Sequence, residues 1–159
     1  MALSYVRGCL KSIVVPLAVV LLMVGLGWAA PRFFFGPHVS RVDPAVLSEL
    51  RAIGRVVGED ASVGHAWENT YVEMNDLVVF LDGNAKEDVV TEVERRLKQR
   101  GWHISRREPP EIWLESARWP SALVTVERLE ETHMSSELRV QVTGAGLPVK
   151  NMAYIGVQP

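Results

Sequence analysis

Hydrophobic positions follow three patterns along the chain, and each predicts a different element. The first is unbroken. From Ser12 to Ala30 the sequence SIVVPLAVVLLMVGLGWAA carries no ionisable side chain over 19 residues. A helix of that length rises about 28 Å, close to the roughly 30 Å of bilayer hydrocarbon, so the run predicts a transmembrane helix over 12–30. Ile13–Leu26 holds ten Ile, Val or Leu residues, which favour insertion by very roughly 3–6 kcal/mol. Trp28 and Phe33–Phe35 lie where aromatic side chains anchor a span, and residues 1–11, with Arg7 and Lys11, form a basic flank expected on the cytoplasmic side. The competing reading is a secretory signal cleaved after Gly27-Trp28-Ala29, which would release a soluble domain.

The second pattern has helical spacing. Residues 31–42, with two Pro and a Gly, read as a stalk. Asp43-Pro44 then supplies an N-cap and a proline at the first helical position. Val46, Leu47, Leu50, Ile53 and Val57 stack on one face, which predicts a helix over 44–57 closed by Gly58. A second helix is expected over 85–100. Asn84 and Glu87 offer a capping box, Ala85, Val89, Val90, Val93 and Leu97 make the buried stripe, and Gly101 ends it before Trp102.

The third pattern alternates. Residues 58–69 are polar and read as a loop, whereas Tyr71–Leu81 reads as extended, with Asn75-Asp76 as a turn or bulge. Strands are expected over His103–Arg106, Glu111–Arg118, Ser121–Leu129 and Glu137–Thr143, with a turn at Trp119-Pro120 and a loop over 130–136. In the last strand Leu138, Val140 and Val142 alternate with polar neighbours. Residues 144–159 read as a tail in which Ala153-Tyr154-Ile155 adds an edge strand. The expectation is therefore an N-terminal transmembrane helix followed by an α+β domain over 43–143. Two amphipathic helices would pack on a mainly antiparallel sheet of four to five strands, ferredoxin-like or similar.

Composition narrows the function classes. With 48% hydrophobic and 23% charged residues the chain is not a disordered one. A net charge of −2 argues against nucleic acid as partner, and a lone Cys9 forms neither an internal disulfide nor a thiolate cluster. Beyond residue 30 lie 15 of the Lys and Arg and all 19 acids, so that portion carries −4 (15 − 19). His38, His65, His103 and His133 are too scattered for metal-ligand spacing, and no nucleophile elbow or phosphate loop occurs. No catalytic, cofactor-binding or metal residue is assigned.

Glu111 and Glu115 share strand parity with Trp113, a set that suits glycan chemistry. Residues four apart on a strand nevertheless stand about 13 Å apart, too far for a carboxylate pair. Trp113, Trp119 in its turn, and the basic pair Arg106 and Arg107 are the candidate interaction residues. The segment Val89–Thr143, with its RRLKQRGW helix end followed by strands, resembles small membrane-anchored or exported proteins of high-GC bacteria with no assigned activity. That resemblance implies an envelope protein and transfers no functional residue. The sequence thus predicts a single-pass envelope protein in contact with the lipid bilayer. Its extracytoplasmic domain would bind or scaffold another envelope protein through a sheet edge. The alternatives are an envelope hydrolase acting on glycan or peptide, or an exported soluble domain.

Overall fold

A computed structural model describes residues 17–25, 27, 38–67, 70–82 and 88–159. The chain divides into two compact units, Met1–His38 and Val39–Pro159. In the first unit the described helical residues are 17–25 and Gly27. Among the described residues no helix is long and apolar enough to cross a membrane, which corrects the transmembrane helix expected over 12–30. The basic flank 1–11, Trp28 and Phe33–Phe35 lie outside the described residues.

The second unit is α+β. Its elements are β1 (His38–Ser40), α1 (Pro44–Arg51), β2 (Arg55–Trp67), β3 (Thr70–Phe80), α2 (Val89–Gln99), β4 (Trp102–Glu108), β5 (Glu111–Ser116), β6 (Trp119–Arg128), α3 (Ser136–Gly144) and β7 (Met152–Gln158), with 3₁₀ turns at Leu129–Glu131 and Val149–Asn151. Six strands lie in the order β2-β3-β7-β6-β5-β4, and β1 also pairs with β3. The pairings β2/β3, β3/β7, β7/β6, β6/β5 and β5/β4 are all antiparallel. Seven strands with β7 between β3 and β6 replace the expected four- to five-stranded ferredoxin-like sandwich.

The tail expected to add an edge strand is the central strand β7, buried at Met152, Ala153, Ile155 and Val157. Residues 58–69 read as a loop because Gly58, Asp60, Ser62 and Gly64 lack an apolar stripe, yet β3 pairs with them along an almost continuous ladder. Asn75-Asp76 makes no turn, since β3 runs through both residues. Trp119-Pro120 begins β6.

Glu137–Thr143 is helical, not extended. Ser135 caps α3 by accepting a hydrogen bond from the Leu138 N–H, 3.1 Å. Leu138 and Val142 are i,i+4 neighbours and both are buried, while Val140 is 72% exposed. Apolar residues at i, i+2 and i+4 satisfy a strand period and contain a helical pair as well.

The expected helices are present in shortened form. Asp43 Oδ1 accepts from the Ala45 N–H at 2.8 Å, and α1 ends at Arg51 because Arg55 already begins β2. α2 buries Val89, Val90, Val93 and Leu97, and Gly101 takes a left-handed φ of 90° just after it. Asn84, Ala85 and Glu87 lie outside the described residues. The sheet separates two cores. α1 and α2 cover one face through a cluster that includes Leu50, Leu77, Val93, Leu97, Leu114, Val124 and Ile155. On the other face α3 covers only the part around Val78, Phe80 and Met152. The rest of that face is open.

Candidate functional site

The four residues expected at an interaction surface separate onto the two faces. Trp119 packs against the helix-side core, and its Nε1 donates to Glu49 Oε2 of α1 at 3.3 Å. Trp102 donates to the other oxygen of Glu49 at 2.8 Å, so one carboxylate serves two indoles. Arg118 sits 4.9 Å from the Trp119 ring centre. Arg107 reaches α2, donating to Glu94 at 2.6 Å. Trp113 instead has the parity of the open face. Arg106 pairs with Trp113 across β4 and β5 and donates to Glu108 at 2.5 Å.

Strand register builds a straight row on the open face: Arg106, Trp113, Thr125, Gly156, Asp76 and Asp60, one residue from each of six strands. The middle member has no side chain. A Cβ on Gly156 would stand 2.6 Å from Thr125 Oγ1 and 3.5 Å from Tyr154 Cε1, so glycine keeps the floor of the row open. The result is a trough of about 280 Å³. Asp76, Tyr154, Glu127, Glu111 and Trp113 form much of its wall.

The trough is acidic. Tyr154 donates its hydroxyl to Asp76 Oδ1 at 2.5 Å. Burial raises the Asp76 carboxyl above its ordinary value and the nearby Asp60 charge adds to this, while the tyrosine hydrogen bond opposes both. Burial also raises Tyr154, and the Asp76 carboxylate reinforces the shift. Glu127 is raised chiefly by burial, with the Glu111 and Glu131 charges adding to it, whereas the Thr132 hydroxyl and His133 pull the other way. None of Asp76, Glu111 and Glu127 takes part in an ion pair among the described residues, although Glu49, Glu59, Glu73, Glu92, Glu94 and Glu108 all do. The indole Nε1 of Trp113 is buried without a hydrogen-bond partner among the described residues.

A larger cavity, about 380 Å³, lies beyond Glu111 and is lined by Arg107, Arg128, Asp88, Glu131 and Pro109-Pro110. Both of its arginines are already paired, Arg107 with Glu94 and Arg128 with Asp88 and Glu131. No group of three metal-ligating side chains occurs among the described residues.

Strand parity alone pointed to Glu111 and Trp113. Glu127 joins them through the neighbouring β5/β6 pairing, and Tyr154 and Asp76 only through the non-local pairings of β7; no local motif marked those three. Comparison with family models, curated proteins and solved structures finds no match to this chain.

Proposed function

We propose that this domain is a non-catalytic binding module whose trough on the open sheet face accepts a cationic group, an amine or guanidinium, from its ligand. The observation that carries the reading is the trio of carboxylates beside the Trp113 and Tyr154 rings that form no ion pair among the described residues. Two of the three are partly withdrawn from water, and holding such charges unpaired is costly. An incoming cation supplies the missing counter-charge, and aromatic faces add cation–π attraction of about 0.5–2 kcal/mol. The expected site moves accordingly, from a sheet edge at the tail to the sheet face.

The test is a titration of the full chain with acetyl-arginine amide and, separately, with its neutral isostere acetyl-citrulline amide. Saturable shifts of the Trp113 indole and Tyr154 ring resonances with the arginine compound alone support the reading. Equal shifts from both compounds, or none from either, overturn it. The hydrolase alternative draws on one feature, the raised Glu127 carboxyl facing the Glu111 charge. Glycan turnover by the chain that disappears in Glu127→Gln would favour that alternative over binding alone.

A further inference from the structure

β2 and β4 are outer strands of the sheet, as is the three-residue β1, and the two long ones are protected differently. β4 is bulged between Ile104 and Arg106 and carries Arg106, Arg107 and Glu108, features that discourage strand addition. β2 also shifts register, between Val56 and Gly58 and between His65 and Trp67, but from Gly58 to His65 its ladder is regular and only the first part of that stretch is covered. There the Gln141 side chain of α3 imitates a peptide group. Its Oε1 accepts from the Glu59 N–H at 3.0 Å and its Nε2 donates to the Glu59 C=O at 3.1 Å. Glu59 therefore turns its backbone groups outward, and so, at two-residue intervals along the regular ladder, do Ala61 and Val63. The Ala61 N–H is taken by Asp60 Oδ1 at 2.8 Å. The next outward position, Val63, has no such cover among the described residues.

Residues Ala61–Ala66 contain no acid, no Lys or Arg and no proline. They belong to an arm formed by the outer halves of β2 and β3, past the end of the β3/β7 pairing at Asn75. In the unit Val39–Pro159 the exposed large apolar side chains are Val39, Val63, Tyr71, Met74, Val140 and Val149; the first four belong to β1 or this arm.

We infer that the outer half of β2 is a self-association edge, at which a second copy of this chain pairs antiparallel about a two-fold axis at Val63, so that Val63 faces Val63 of the copy. A second copy fits because the segment holds no acid, Lys or Arg to repel its own image, whereas β4, the other long outer strand, carries Arg106, Arg107 and Glu108. A strongly charged partner strand would gain nothing there. The sheet would continue from one protomer into the other, independently of whether the trough binds cations.

Full-length protein carrying Cys9→Ser tests this with single cysteines. Val63→Cys is expected to form a disulfide-linked dimer under mild oxidation, because paired strands bring facing Cα atoms to about 4.5–5.5 Å. Ser105→Cys on β4 is expected to stay unlinked. Equal cross-linking at both positions, or none at Val63, overturns the inference. A second measurement needs no cysteine. Exchange of the Val63 amide should slow about tenfold between dilute and concentrated protein and should lose that dependence in Val63→Lys. An amide that exchanges at one rate throughout, or a concentration dependence that survives Val63→Lys, overturns it.

Discussion

Removing the hydroxyl of Tyr154 tests the electrostatics of the trough. In Tyr154→Phe, Asp76 Oδ1 loses the donor now 2.5 Å away. A hydrogen bond to an ionised acceptor contributes about 1.5–3 kcal/mol, and water entering an open trough recovers part of it, so the expected loss at neutral pH is about 1–2 kcal/mol. This should appear as a further rise of the Asp76 carboxyl by about one pH unit, since one unit corresponds to about 1.4 kcal/mol. The pH dependence has a definite sign. Asp76 titrates above its ordinary 3.8 in the folded protein, so folding favours its protonated form. Its contribution to stability therefore becomes less favourable as pH rises from 3.8 through the folded value, and stays constant above. Tyr154→Phe widens that window. Its deficit should be largest near pH 7 and shrink to less than half near pH 3, where the carboxyl is neutral in every state. Urea unfolding at both pH values, with carbon-detected titration of Asp76, measures both quantities. A deficit equal at the two pH values, or an Asp76 carboxyl in the variant at or below its wild-type position, would refute the reasoning.

Gly156→Ala should destabilise by about 1–3 kcal/mol, because the new Cβ meets Thr125 Oγ1 at 2.6 Å, and should abolish the arginine-dependent shifts; thermal unfolding should show partial recovery on adding Thr125→Ala. The helical state of α3 predicts that Leu138→Ala costs about 2–5 kcal/mol, whereas Val140→Lys stays within about 0.5 kcal/mol. A strand there would make the two changes comparable in urea melts. Glu92, held down to about 2 by hydrogen bonds from Arg95 and then Arg96, should contribute stability above pH 4.5 that is lost as pH falls toward 2. Solvent screening limits this to about 1 kcal/mol or less, and the pH 5 minus pH 3 difference in stability should narrow by that amount in Glu92→Gln.

Local chemistry was readable where one element satisfies itself. The Asp43-Pro44 start of α1 and the Val89, Val90, Val93 and Leu97 stripe of α2 are each read within one helix, and both are present. β6 alternates cleanly because one of its faces lies in the helix-side core. β2 and α3 were misread for opposite reasons. The first has little burial to pattern it and depends on β3 for its ladder, and the second offers an apolar spacing common to both periods. The position of β7 was beyond reach of any local signal, since its pairing with β3 and β6 links residues about 75 and 30 apart in sequence. The trough inherits that difficulty. Glu111 and Trp113 lie on one strand, but the trough they line is completed by Tyr154, Gly156 and Asp76 only once β7 has been inserted.

That insertion governs how the molecule assembles. The β2–β3 hairpin and the β4–β5–β6 meander can each zip up from nearby residues, yet only β7 joins them through backbone pairing. Until it docks, β3 and β6 each present an open flank rich in Val and Leu. The period between synthesis of β6 and arrival of β7 is thus when this chain is most exposed to intermolecular mispairing, and a substitution that slows docking of β7 should lower the yield of folded protein more than its effect on final stability implies.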